Sequence, residues 1–474
     1  MTIAIPRTQL RLSGIQLRYR LVAGGLFTVI LSLAIVFQAT IAYSTAYGLF
    51  NDIAVKSTVK VDSSISALQH LATINKYAAD LIGYTQVTDQ QQALTNVQSE
   101  FQNFRDQMFT IRNGLSKPEE FTAYNAAEKL IYNDYWEHII KIIDARSNNN
   151  KEVAVNEFNL ADQVFEERIT TSMATLGQMN YTSMLEAKAN ASRIILSQAF
   201  LLGAMGIGLA VFLTGLSIWL RWKIRRYLTP GIDLAAILSV LLTVIMVFQL
   251  AQLPEQLRVM VQDAYYSVTA SARVISDASR ANITESAALN DPANASQWQQ
   301  KFDHFVQLVT LRICGQQNCL VRPFSKDGQD NIDPAVAQIA KAVTQQDSIA
   351  IDNIIPLMGN ITFTGEVTTL EQARLAYLDY LQIDKQTRGL LANNQLEEAI
   401  KLNTGRNPGQ SDEAFFRFIS LMEQEETINR NVFQQVWTEQ QTALPLSQLL
   451  YGNLGLIIVI LLSCFGVYHR FREL

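Results

Sequence analysis

The sequence predicts an all-α membrane protein: four transmembrane helices and two duplicated extracytoplasmic four-helix-bundle domains, the second carrying a small irregular or β-containing insertion. Three observations predict it. Four apolar stretches lack Asp, Glu, Lys, Arg and His, the segments between paired stretches carry helical periodicity, and one pattern recurs in both segments. Each stretch has about 20 or more residues, enough at about 1.5 Å per residue to cross roughly 30 Å of hydrocarbon.

The order along the chain follows. Residues 1–20 form a basic N-terminus, 21–43 the first span, 44–193 the first large polar segment and 194–220 the second span. Residues 221–233 are a short link, 234–253 the third span, 254–445 the second polar segment, 446–468 the fourth span and 469–474 a tail. The short flanks carry Arg18 and Arg20, then Arg221, Lys223, Arg225 and Arg226, then His469, Arg470 and Arg472. By the positive-inside rule these flanks are cytoplasmic, and both polar segments are outside the plasma membrane. The first span reads as a retained signal anchor, too long for a cleaved leader.

In the first polar segment, residues 52–115 have few Gly or Pro and apolar positions at three- and four-residue spacing. Pro118 with Glu119 and Glu120 marks a new helix start, since Pro suits the first turn and carboxylates suit the positive helix end. Ser147-Asn148-Asn149-Asn150 breaks that helix, and the last begins near Lys151 and continues into the second span. Four helices in up-down order return the chain to its starting side. The second segment repeats the plan. Tyr132-Asn133-Asp134-Tyr135 matches Tyr377-Leu378-Asp379-Tyr380, and Asn148, Asn149, Glu152 and Ala154 match Asn393, Asn394, Glu397 and Ala399, all at one offset. Some 40 extra residues fall around 311–365, where Ile351–Val367 is rich in β-branched residues and suits a hairpin or an irregular cap.

Several function classes are disfavoured. The net charge of −5, with a basic inner edge, does not suggest nucleic-acid binding. No phosphate loop, zincin pair, nucleophile elbow or dinucleotide fingerprint is present, so no enzyme activity or cofactor is expected. The histidines are scattered, and Asp327, Asp330, Asn331 and Asp333 do not follow EF-hand spacing, so no metal site is expected. Uncharged spans argue against a transporter or channel, and Asp233 beside Pro230 reads as a cap. Cys314 and Cys319 bracket a Gly-Gln-Gln-Asn spacer; a small disulfide loop is favoured over half a zinc site. Ala204 and Gly208 form a small-xxx-small pair suited to close helix approach.

The Tyr-x-Asp-Tyr segments carry two readings. In one, Tyr132, Asp134, Tyr135, Tyr377, Asp379 and Tyr380 line polar ligand pockets, with a carboxylate pairing a substrate amine. In the other, favoured by the i, i+3 spacing, the tyrosines pack between helices and the aspartates face water.

The Asn-Asn-x-x-Glu-x-Ala turn, after a Tyr-rich third helix and between two spans, resembles the four-helix-bundle sensor domains of bacterial chemoreceptors and histidine kinases. The whole layout is similar to that of GlnX-type four-span membrane signalling proteins. That resemblance implies a non-enzymatic transducer whose outer domains receive a solute-binding protein and whose basic inner residues contact a cytoplasmic Ser/Thr kinase or its adaptor. The alternative for Arg18, Arg20, Arg221, Lys223, Arg225 and Arg226 is lipid contact and topology alone. A homodimer is compatible with the layout. From other classes, a scaffold subunit of a membrane complex and a direct small-molecule sensor remain as alternatives.

Overall fold

A computed structural model of the chain describes residues 7–83, 87–115, 117–224, 229–315 and 356–473. Among them every regular element is a helix. Four helical runs are long and apolar enough to cross a membrane: Arg18–Gly83, Lys151–Lys223, Pro230–Asn290 and Ser411–Arg472. Each contains one widened π-turn, at Asp52–Ser57, Phe165–Ile169, Val259–Ala264 and Gln448–Gly455. Pro254 and Pro445, which lack a backbone donor, lie shortly before two of them.

The chain divides into two compact units. The first combines Met1–Ile53, Glu186–Val259 and Gln435–Leu474 and holds all four apolar stretches. Its helices are α1 (Arg7–Asn51), the later part of α7 (Thr170–Ile224), α8 (Pro230–Arg258) and α14 (Leu456–Glu473). On α1 the buried positions Thr28, Ser32, Ile35, Ala39, Ala42 and Ala46 alternate steps of four and three, the period of a left-handed supercoil seam. Apart from Ile35 the seam is made of small and hydroxyl residues, which let helix backbones approach closely. Helices α8 and α14 approach backbone to backbone, where a Cβ on Gly231 would lie 2.8 Å from the Gly466 Cα. The small pair expected at Ala204 and Gly208 does not make such a contact: both are exposed, and Gly208 has open space around it. Gly206 takes that role instead, with Thr243 filling the space a side chain would need. The heptad register, not the four-residue spacing alone, decides which small residue faces a neighbour.

Polar side chains within this unit are paired with one another. The Gln38 amide donates to Gln198 at 2.5 Å, and the Tyr43 hydroxyl donates to Gln249 at 2.8 Å. Asp233 accepts from the Thr229 backbone N–H at 3.2 Å, from the Ser217 hydroxyl and from Arg221 at 2.8 Å. Asp233 therefore caps the start of α8 from its first turn and also anchors Arg221.

The second unit combines Ala54–Leu185 and Met260–Gln434, so both polar segments share one body. The first segment supplies α2 (Thr58–Gly83), α3 (Val87–Gly114), α4 (Pro118–Lys129), α5 (Trp136–Ser147) and α6 (Lys151–Val164), which continues into α7. The second supplies α9 (Tyr265–Asn290), α10 (Ala295–Cys314), α11 (Glu366–Ala392), α12 (Leu396–Asn403) and α13 (Ser411–Ser447). Helices α2 and α9 pack against each other and against their own partners. Their small residues make this tolerable: Ser267, Ser271, Ala272, Ala278 and Ala281 are all buried on α9. The two cores meet, because Ile283, Ala287 and Trp298 from the second segment join the core built on Phe104, Tyr135 and Phe165.

The turns before α6 and α12 share one geometry. Among the described residues, Asn149 and Asn394 are the two non-glycine residues with positive φ, at 55° and 59°. Asn150 N–H donates to the Ala145 carbonyl at 2.8 Å and Gln395 N–H to the Leu390 carbonyl at 2.9 Å, each closing a six-residue Schellman cap. Asn tolerates this left-handed site, whereas a β-branched residue does not. Asn149→Val and Asn394→Val are each expected to lower stability by about 1–2 kcal/mol. Asn→Gly at either site is expected to be tolerated, and thermal melts of the four variants check both.

Two expectations for the second segment change. The fourth helix is not continuous as in the first segment: it stops at Asn403 and resumes at Ser411. Pro408 and Gly409, the latter at φ 87°, force that interruption. The hairpin considered for Ile351–Val367 does not occur at 356–367, which form a single 3₁₀ turn, Leu357–Asn360, and the start of α11. Residues 351–355, Cys319 with its expected bond to Cys314, and Asp327, Asp330, Asn331 and Asp333 lie outside the described residues.

Candidate functional site

The six tyrosines and aspartates considered for ligand binding fall into two environments. Tyr135, Tyr377 and Tyr380 are fully buried, and Tyr132 is partly buried. They stack within the helical cores: Tyr132 lies 6.0 Å edge-on from Phe101, Tyr135 lies 6.0 Å from Phe165 and Tyr377 lies 4.7 Å from Phe418. Asp134 and Asp379 point away and form corresponding ion pairs, with Arg168 at 2.7 Å and Arg417 at 2.9 Å. None of the six lines the large cleft described below.

Of the basic residues, Arg18, Arg20 and Lys223 are exposed. The Arg18 guanidinium lies 5.4 Å over the Phe471 ring, and Arg221 is held by Asp233. Arg225 and Arg226 lie outside the described residues.

Charge is concentrated where the two segments meet within the polar unit. Asp162 on α6 is buried and accepts from Asn75 at 3.0 Å and from Lys301 at 2.6 Å. Burial raises its pKa, with Glu166 adding to the shift and Lys301 opposing it. One turn on, Glu166 accepts from Arg280 Nε at 2.9 Å, and Asp277 accepts from Arg312 at 2.5 Å and from Arg280 at 3.4 Å. Burial works against the Arg280 charge, but Glu166 and Asp277 outweigh it and hold the guanidinium more firmly protonated. Farther along, Lys76 is buried between Asp80 at 2.9 Å and Asp412 at 3.7 Å. At the other end, Asp62 accepts from Tyr265 and Arg430, each at 2.7 Å.

The second segment also holds two carboxyls, Glu285 and Glu425, with no cation among the groups that shift them, and beside Glu285 the Arg388-paired Asp384. Glu285 is buried and accepts from the Tyr380 hydroxyl at 3.0 Å and the Ser411 hydroxyl at 3.1 Å. Burial, with Asp384 nearby, pushes its pKa up to about 8. Asp384 itself is raised to about 7 by burial, against the pull of Arg388. A cavity of about 20 Å³ beside both has room for one water. Glu425 is raised to about 8 by burial and by Glu366, to which its carboxyl is hydrogen-bonded. Glu366 in turn accepts the Thr362 and Phe363 backbone N–H groups, each at 2.6 Å, and so caps α11.

One larger concavity opens between the segments within this unit. It has a volume of about 730 Å³ and is lined by Tyr77, Asp89, Gln92 and Asn96 on one side and by Glu397, Lys401 and Arg406 on the other. Arg406, together with Thr404, which also lines the cleft, comes from the turn 404–410 that interrupts the fourth helix, which sequence reasoning did not single out. The signal was present: Gly405-Arg406-Asn407-Pro408-Gly409 is a strong turn sequence, and the first segment has no counterpart at that point.

No family model, curated protein or solved structure matches this chain.

Proposed function

We propose that this chain is a non-enzymatic transmembrane signal transducer, with duplicated four-helix-bundle domains outside the plasma membrane and both termini in the cytoplasm. The observation that carries the reading is the set of four helical runs, each joining an apolar stretch to the polar unit without a break. In this reading a shift of about 1–2 Å in helix packing outside is passed along each run and through its π-turn. The duplication is supported by the matched Schellman caps at Asn149 and Asn394 and the matched pairs Asp134–Arg168 and Asp379–Arg417.

In this reading the polar unit receives an extracytoplasmic solute-binding protein, as in the GlnX-type proteins the layout resembles. The solute is an amino acid or similar nutrient. The exposed cations Arg18, Arg20 and Lys223 face a cytoplasmic Ser/Thr kinase or its adaptor. The signal is a population shift between two packings, biased by the partner that binds one of them better.

Crosslinking in native membranes, with and without added glutamate, tests the proposal by mass spectrometry of the captured partners. Recovery of a solute-binding protein and a kinase, changing with glutamate, is the expected result. A fixed set of membrane subunits, indifferent to glutamate, would make the chain a scaffold.

A further inference from the structure

The polar unit is dense in ion pairs, from Asp62–Arg430 at one end to the Lys76 cluster at the other. Against that background the large cleft stands apart. Asp89, Glu397, Lys401 and Arg406 all line it, and among the described residues none of the four has an ion-pair partner within 4.0 Å. Solvated surface charges are commonly unpaired. Here, however, four converge on one concavity, together with the Gln92 and Asn96 amides and the Thr404 hydroxyl.

We infer that this cleft binds a small zwitterion directly, a molecule the size of a free amino acid carrying one carboxylate and one ammonium group. The charges select that class. Two cations, Lys401 and Arg406, stand on the second-segment side, and the carboxylates are divided between Asp89 on one side and Glu397 on the other. A plain anion would meet two carboxylates, a plain cation would meet two cations, and a neutral sugar would leave all four charges unanswered. A zwitterion answers both signs: its carboxylate takes the Arg406 fork and the Lys401 ammonium, and its ammonium takes Asp89 or Glu397. Tyr77 and Ile400 supply apolar surface for the rest of the ligand. The volume of about 730 Å³ lies in the ordinary range for small-molecule sites.

Arg406 also ties the cleft to the buried ion cluster. Its guanidinium lies 5.4 Å over the Phe416 ring, and the Lys76 ammonium lies 5.6 Å from the same ring. A carboxylate drawn to Arg406 therefore acts next to the Lys76–Asp412 contact, which joins α2 to the start of α13.

The inference deepens the reading of the chain as a receptor of solute status, but it is tested without any partner. The full chain, purified in lipid nanodiscs, is titrated calorimetrically with a panel of free L-amino acids. Succinate, putrescine and glucose serve as anionic, cationic and neutral controls. Saturable binding of at least one amino acid is expected, weakened at least tenfold by Arg406→Ala and by Asp89→Asn. Arg417→Ala, which removes a surface pair elsewhere, is expected to leave the affinity unchanged. All the altered residues are exposed, so unchanged melting temperatures separate lost binding from lost folding. Binding of no amino acid, tighter binding of succinate or putrescine, or unaltered affinity in both cleft variants would overturn the inference. Amino-acid binding without any change in captured kinase would leave this inference standing and count against the transducer reading.

Discussion

Stability of the polar unit is expected to fall as pH rises from about 5 to 8. Glu285 and Glu425 both have folded-state pKa values of about 8, against an ordinary value of 4.5. A carboxyl raised in this way keeps a proton when folded that the unfolded chain has already released. Its stabilising contribution is complete below pH 4.5 and is lost as pH climbs through the folded-state value. Each retained proton makes the slope about 1.4 kcal/mol per pH unit inside that window, an upper bound because the group relaxes on ionising. Asp384, raised to about 7, acts in the same direction over a narrower window. The groups facing Glu285 are Tyr380, Ser411, Asn403 and Asp384, with no cation among its main influences. Glu425 faces Glu366 and Asn429. Denaturant unfolding of the wild type between pH 5 and 9, beside Glu285→Gln and Glu425→Gln, isolates the effect. Both variants should flatten the profile and gain relative to wild type at pH 9. Parallel wild-type and variant profiles would show that these carboxyls ionise inside the fold without cost.

Arg280→Met is expected to destabilise the same unit by about 3 kcal/mol, the low end of the cost of removing one partner from a buried charge pair, because both side chains keep some exposure to solvent. Arg280 answers Glu166 from the first segment and shares Asp277 with Arg312 in the second. Its guanidinium also lies 4.2 Å over the Phe305 ring, so packing is lost along with charge. Methionine restores much of the volume but leaves the partly buried Glu166 without its partner. The double variant Arg280→Met with Glu166→Gln should recover a large part of the loss, because no uncompensated carboxylate remains. Equal destabilisation in the single and double variants would assign the effect to packing alone.

Much of the architecture was legible one residue at a time. Charge is excluded from long apolar helices by composition alone, so the four helices long and apolar enough to cross a membrane announce themselves as uncharged stretches. The breaks at Pro118 and Asn148-Asn149-Asn150 appear where the sequence places them, because Pro and left-handed Asn are local constraints. The Tyr132 and Tyr135 stripe was legible as core for the same reason: a helix of known period puts both on one face. The interruption at Pro408 and Gly409 was equally local and was hidden only by the assumption that the second segment copies the first.

What the residues alone determined is therefore the helical class, the four apolar runs and the Asn turns, since each depends on neighbours within a few positions. Tertiary structure decided the rest. Only packing shows that Gly206, not Gly208, meets another helix, that Lys301 answers Asp162, and that Glu285 is left to hydroxyls. It also leaves Asp89, Glu397, Lys401 and Arg406 facing one cleft. Those partners lie up to hundreds of residues apart, and electrostatics depends on distance and burial in space, which no local pattern along the chain encodes.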